Sequence, residues 1–447
     1  MERFLFRKVE LWVVGVILIF TLIGAVVFGI IVRNRALGHD RFGIVGEAAF
    51  AVASIPSTVR QWSRTDPMRA REGESRFAGL RGWQNGAQPL PGYLLLSRYD
   101  GDRRGHSVEL VDLSDFSTEF TWALDAGTLF EGLTPGPGYG AGSKITTDRF
   151  RAIHPLPFPN GDLLIKDHSS PAVRVSACGE RIWGNPRIFH HSSEFGPEGD
   201  IWIPAIKIPA SVPWSGGDLT DDSIVRLTPQ GEIKEEYSVS RLLLENGYEW
   251  LLSGMGGEKD SDPIHMNDIQ PVMTEGTAWR RGDLLVSIRH RSAVFLFRPS
   301  TGKILWLKTG PWVFQHDIDI VGDGQVVIFD NAMNPKLMPV PEGRFNRVLH
   351  VDLGSNAVEA YQPEAFAAAE IRTVHEGLAD QMPDGRILVE EENFGRIIVL
   401  NADGSVAAEY INGADDGMVY RLGWSRYMSQ AEGDALRAAL EAVSCDE

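Results

Sequence analysis

Two hydrophobic patterns divide the chain. From Leu11 to Val32 the residues are apolar, with only Thr21 mildly polar. About 20 such residues cross a bilayer as a helix, so the run predicts a transmembrane segment. Arg3, Arg7 and Lys8 precede it and Arg33, Arg35 and Arg41 follow it, which leaves the positive-inside rule undecided. The run is longer than a signal-peptide core and lacks a clear small-residue cleavage site. It reads as an uncleaved single-pass anchor, with a short cytoplasmic tail and the bulk of the chain on the extracytoplasmic, periplasmic side. A cleaved signal is the alternative.

From Gly92 onward the period changes to that of strands. A Gly/Asp turn followed by an apolar strand recurs: "NGDLLI" from Asn160, "EGDIWI" from Glu198, "RGDLLVSI" from Arg281, "GDGQVVIF" from Gly322, "PDGRILVE" from Pro383, and a looser "PGYLLLSR" from Pro91. Each is followed by an alternating strand, a tight turn and another strand, as in "AVFLFRPSTGKILW" from Ala293 and "RIIVLNADGSVAAEY" from Arg396. Alternation around short Gly-containing turns is a hairpin signal. Each copy exposes an apolar face, and radial packing of the copies buries every face. The pattern predicts an all-β fold: a six-bladed β-propeller over 91–415, with an N-terminal transmembrane helix and a short C-terminal helix. A β-sandwich or two β-domains would explain the strands but not the repeated order. The remaining divisions are 1–35, the cytoplasmic tail and anchor; 36–90, a juxtamembrane helix over Phe42–Trp62 and a linker over Thr65–Gln88; and 416–447, a helical tail. In that tail Ser429 and Glu432 form a capping-box pattern ahead of Leu436 and Leu440.

Charge and cysteines narrow the partners. A formal charge of −17 argues against nucleic acid, which demands a basic face. It leaves room for a small anion, because a local Arg and His cluster can dominate a channel. Cys178 and Cys445 have no metal-site spacing. A bridge between them requires an oxidising compartment, and the loose-looking tail around Cys445 speaks against it. Oligomeric state is not legible.

Histidines then stand out. His154, His190 or His191, His265, His316 and His375 each precede a Gly/Asp strand in successive units. In a propeller such matching positions form a ring around the channel. His39, His106, His168, His290 and His350 lack this register and read as packing residues, and "EEEN" at Glu390 reads as a solvated face.

One block is more specific than any single histidine. It runs "HMND" from His265, "SIRHRSAVFLFRPSTGKILW" from Ser287, "FQHDIDI" from Phe314 and "FDNA" from Phe329. In order and spacing these motifs resemble the core signature of the aryl sulfotransferases, over roughly Ile264 to Ala332. The resemblance implies sulfuryl transfer from an aryl sulfate ester to a phenolic or other hydroxyl acceptor, independent of PAPS, through a sulfohistidine. It implies His316 as nucleophile, with His265 and Arg289, the latter expected on an inner-strand segment, holding the sulfuryl oxygens. A further channel histidine falls in "FHHSS". His191 is preferred over His190 there because it stands as far before its turn as His316 does. Asn267 of the histidine-x-asparagine motif, His375 and His154 complete the candidate substrate-binding set. Such a site needs neither metal nor cofactor, and the sequence contains no P-loop. The competing readings are a metal-dependent hydrolase or lactonase using Asp268, Asp317, Asp319, Glu376 and Asp380, which Arg289 opposes, and a non-catalytic binding scaffold.

Overall fold

A computed structural model describes residues 10–36, 41–62, 68, 76–133, 145–214, 219–253, 261–334 and 343–445. They fall into two compact units, divided between Asp66 and Pro67. Within the first, the apolar run forms the helix Leu11–Ala36, long and apolar enough to cross a membrane. Leu11, Ile17, Leu18, Phe20 and Leu22 are all exposed along it. A second helix spans Gly43–Trp62 and meets the first through Arg35 and Glu47, 3.2 Å apart. Of the expected linker, residues 65–67 and 69–75 lie outside the described residues.

The second unit is an all-β, propeller-like array of antiparallel sheets. Three sheets have four strands, one has five and one has eight. The eight-stranded sheet joins two units of the repeat. Its halves pair at one register position, Ala205 with Phe189, because the strand Arg181–Phe189 runs on toward its neighbour. In the other repeats the Gly/Asp turn leads into the second strand of the sheet, and the strand before that turn is the sheet edge that faces the centre.

Those inner edges are Leu156–Pro157, Glu194–Phe195, Met266–Pro271, Asp317–Gly322, Leu378–Gln381 and Arg426–Met428. They are tied in sequence by one device, in which a side chain at one inner edge accepts a backbone N–H from the next. His154 Nδ1 accepts from Ser193 at 3.2 Å, Ser192 Oγ from Ile269 at 3.1 Å, Asp268 from Ile318 at 2.9 Å, Asp317 from Ala379 at 2.9 Å and Asp380 from Tyr427 at 3.2 Å. Burial pushes the carboxyls of Asp268 and Asp380 up, to about 7 and about 6. These acids hold sheets together, which removes them from the expected metal-ligand set.

Several boundaries differ from expectation. Arg426–Met428, assigned to the helical tail, pairs with Tyr93–Asp100 and completes the first sheet. Gly82–Trp83, assigned to the linker, adds a fifth strand beside Val406–Ile411. The helix Gln430–Glu441 starts at Ser429 with the full capping box and buries Leu436 and Leu440. The tail is not loose, because Cys445 is bonded to Cys178, Cα–Cα 5.5 Å. The "EEEN" segment is not solvated either: Glu390, Glu391 and Glu392 are fully buried. Glu390 accepts the N–H groups of Trp424 and Ser425, Glu391 pairs with Arg396, and Glu392 pairs with Arg151.

Candidate active site

At the end where the inner strands begin, the chain hooks sharply before each one. His154, His191, His265, Glu376 and Trp424 all take left-handed backbone conformations, with φ from 45° to 62°, and Phe314 does so two residues before His316. Such conformations cost non-glycine residues about 1–3 kcal/mol each and concentrate at functional sites. The hooks gather side chains from distant repeats around one point.

His191 is the hub of the imidazoles. Its ring centre lies 4.7 Å from His168, 5.2 Å from His265 and 6.3 Å from His316, and its Nδ1 is 2.9 Å from that of His190. The buried Lys166 donates to the carbonyl of His191. Burial and the neighbouring His168 hold His191 well below the ordinary imidazole range. His265 stacks on His290 at 4.3 Å and gives its Nδ1–H to Asp262 at 2.7 Å, which leaves Nε2 as its free atom.

His316 is 2 % exposed. Burial, then the nearby charge of Arg289, holds its imidazole well below the usual range, so it is neutral at pH 7. Its Nδ1 lies 2.6 Å from Asn331 Oδ1, and its Nε2 accepts the backbone N–H of Glu376 at 3.2 Å.

Arg289 sits just past the second strand, Leu284–Ile288, in a short 3-10 turn, not on an inner strand as expected. It is 4 % exposed. It donates to His290 Nε2 and His375 Nδ1, each at 3.1 Å, and stacks over Phe314 at 4.7 Å. Among the described residues it makes no ion pair. Burial lowers its guanidinium to about 10, still protonated at neutral pH.

Beneath the imidazoles lies an ionic knot that the sequence did not reveal. Glu376 receives Arg151 through both guanidinium nitrogens at 2.7 and 3.2 Å, Arg421 at 2.8 Å, His168 at 2.9 Å and Asn393 at 2.7 Å. Burial opposes ionisation of Glu376, but Arg151 and Arg421 outweigh it and hold the carboxyl well below its ordinary range. With Arg289 added, three guanidinium groups converge here in an acidic chain.

Of the expected residues, His316, His265, Arg289, His191 and His375 meet here. Asn267 does not reach open space: it is fully buried and donates to the Gln315 carbonyl at 2.7 Å, which steadies the segment carrying His316. His154 lies one layer inside, stacked on Trp424 at 5.0 Å. It lines a cavity of about 120 Å³ with Glu194, Asp319, Asp380 and Arg426. A larger cavity of about 450 Å³, walled by Phe158, Phe195, Met273 and Leu436, opens at the other ends of the strands and holds none of the clustered histidines.

His168 and His290, read as packing residues, belong to the cluster. His106, bonded to Ser97 at 2.9 Å, and His350, stacked on Tyr361, pack as expected. His39 lies outside the described residues. A signal for the two arginines exists in hindsight: Arg151 and Arg421 each stand three residues before a hook residue, His154 and Trp424.

Among the described residues, two groups have metal-ligand chemistry, Asp262 with His265 and His290, and His168 with Glu376 and Glu392. Neither fits a cation well. His290 donates from Nδ1 to the Asp262 carbonyl at 2.7 Å and accepts Arg289 on Nε2. Metallation at Nδ1 would place an N–H against a guanidinium. In the second group Arg151 already pairs with both acids.

Comparison with known proteins places the cluster in context. No curated protein matches the sequence. Among solved structures, a protein of unknown function from Bacteroides caccae is 11% identical, covering 76% of this chain and 99% of its own, with a TM-score of 0.47. Virginiamycin B lyase from Staphylococcus aureus is 14% identical over 73% and 86%, TM-score 0.37. The Neurospora crassa Pan2 WD40 domain is 10% identical over 72% and 84%, TM-score 0.38. At these values nothing about this chain's chemistry follows from them. The family model for Arylsulfotransferase (ASST) matches residues 158–413, more than half of the chain and all of the histidine, arginine and asparagine motifs from His191 to Asn331. The chain belongs to the arylsulfotransferase family.

Proposed function

We propose that the protein is a membrane-anchored, six-bladed propeller that moves a sulfuryl group from an aryl sulfate ester to a phenolic or other hydroxyl acceptor, without PAPS, through a sulfohistidine on His316. The observation that carries this reading is Arg289. It is a buried guanidinium with no ion pair among the described residues, held by the imidazoles of His290 and His375, close enough to His316 to depress its proton affinity. Such a cation suits an anionic group brought from outside. A sulfate monoester carries one negative charge over three oxygens, and a planar fork clamps two of them.

The chemistry follows from the groups present. His316, neutral by burial, presents its Nε2 lone pair to sulfur. Arg289, with a guanidinium fork that stays protonated, receives the charge that spreads over the sulfuryl oxygens. His265, with Nδ1–H committed to Asp262, uses Nε2 to take the proton of the acceptor hydroxyl in the second half-reaction and pass it to solvent, from which the phenolate released in the first half-reaction is protonated. Neither a metal nor a nucleotide takes part in these steps. The Cys178–Cys445 bridge supports an oxidising, extracytoplasmic location for the propeller.

A fluorogenic aryl sulfate tests the reading. Without acceptor, the protein should release one burst of phenol and gain one sulfuryl group on the peptide containing His316. His316→Ala should abolish both. A burst that survives in His316→Ala moves the nucleophile to His191 or His265, and no turnover across a broad panel of sulfate esters sinks the activity.

A further inference from the structure

This inference rests on the sulfohistidine reading and deepens it. We infer that Asn331 is a positioning residue that keeps the proton on Nδ1 of His316 throughout the cycle, so that the intermediate remains a reactive N-sulfo-imidazolium.

The orientation of Asn331 is fixed by its surroundings. Its Nδ2 donates to the carbonyls of Thr373 at 3.1 Å and Glu376 at 2.9 Å. Two carbonyl oxygens cannot accept from an oxygen, so the amide oxygen must be the atom facing His316. Around it, Asn346 Nδ2 donates to the carbonyls of Asn331 and Thr373 at 2.9 and 2.8 Å, and Thr373 returns its N–H to Asn346 Oδ1 at 2.6 Å. Asn331, Asn346 and Thr373 are all fully buried. The amide oxygen therefore stands in a rigid lattice, 2.6 Å from Nδ1, as an acceptor that cannot itself bind the proton at neutral pH. This assigns the proton to Nδ1 and the lone pair to Nε2.

The consequence lies in the second half-reaction. In the first, the Nε2 lone pair attacks sulfur, the Nε2–S bond forms, and the S–O(aryl) bond breaks with its electron pair leaving on the aryl oxygen. The ring now carries a positive charge. It becomes a neutral, sluggish sulfoimidazole only if Nδ1 gives up its proton. A carboxylate at that position would draw the proton away; the amide of Asn331 does not. In the second half-reaction the acceptor oxygen attacks sulfur, the N–S bond breaks, and the pair returns to Nε2 as neutral imidazole with the same Nδ1–H. The acceptor's proton travels by His265 Nε2 and solvent to the departed phenolate, never over His316.

The test separates the two half-reactions in Asn331→Asp. Adduct formation with an aryl sulfate should persist, while discharge into a phenol should slow by about 10²-fold or more, so that the sulfated His316 peptide accumulates at steady state. A merely structural role would slow both steps together. Because a carboxylate facing the carbonyls of Thr373 and Glu376 risks misfolding, the wild type supplies a second measurement. Discharge of isolated sulfated enzyme into water should stay flat from about pH 6 to about pH 9, across the range where an ordinary imidazole loses its proton. Discharge by Asn331→Asp at the wild-type rate, or wild-type discharge that falls in proportion to proton concentration, overturns the assignment to Asn331 alone. A wild-type protein that forms no adduct on His316 overturns this inference together with the reading beneath it.

Discussion

Glu376 donates its backbone N–H to Nε2 of His316 at 3.2 Å while its carboxylate anchors Arg151 and Arg421. One residue, held at φ 62°, thus restrains the His316 imidazole and organises the ionic knot beneath it. On the proposed reading, a sulfuryl group reaching Nε2 displaces this one long hydrogen bond, which costs about 1 kcal/mol net.

The protonation state of His316 yields a prediction about pH. Burial and Arg289 place its folded pKa well below 6.5, so acidification through that value does not charge it. The burst rate should therefore stay level between about pH 8 and about pH 6. A rate that halves near pH 6.5 would indicate an ordinary, solvated imidazole as the nucleophile.

Arg289→Lys retains a charge but loses the fork that meets His290 and His375 and that, on the proposed reading, clamps the sulfuryl group. The loss in kcat/KM should be about 10²-fold or more, the scale of removing one charge-stabilising donor. Wild-type activity in this variant would mean that the guanidinium does not touch the sulfuryl group.

Cys445→Ser should leave catalysis intact but weaken the fold. The bridge spans 267 residues, and removing such a link costs roughly 2–5 kcal/mol. Chemical denaturation with and without reductant checks this. An unchanged midpoint in both conditions would show that the bridge does not form in the purified protein.

Topology can be read by fractionation. The full chain should sediment with membranes through Leu11–Ala36, and a protein starting near Arg64 should be soluble. Protease added outside the inner membrane should digest the propeller or its linker, and complete protection would place the domain in the cytoplasm.

Much of this architecture is legible in sequence because repetition makes it so. Six Gly/Asp turns in register expose the strands, and the contiguous motifs around His265, Arg289 and His316 expose half of the site. The other half has no local signal. His168 lies in a connection after a second strand, and its place beside Glu376 depends on closure between repeats more than 200 residues apart. Glu390, Glu391 and Glu392 look like surface in a one-dimensional pattern. Their burial depends on Arg76, Arg151, Arg396 and the backbone of Trp424 arriving from elsewhere. Asn267 misled in the opposite sense, since a polar residue beside a site histidine can serve the backbone behind it.

The closing strand Arg426–Met428 has a bearing on how the protein is made. The first sheet begins at Tyr93 but gains its inner edge only from Arg426–Met428, after every other sheet has been made, and Arg421 and Trp424 arrive with that edge. A nascent chain emerging N-terminus first can build the intermediate sheets one after another. It cannot assemble the ionic knot under His316 until Arg421 has followed Glu376 out of the ribosome. A chain that stops short of Arg421 carries His316 without the ionic knot beneath it.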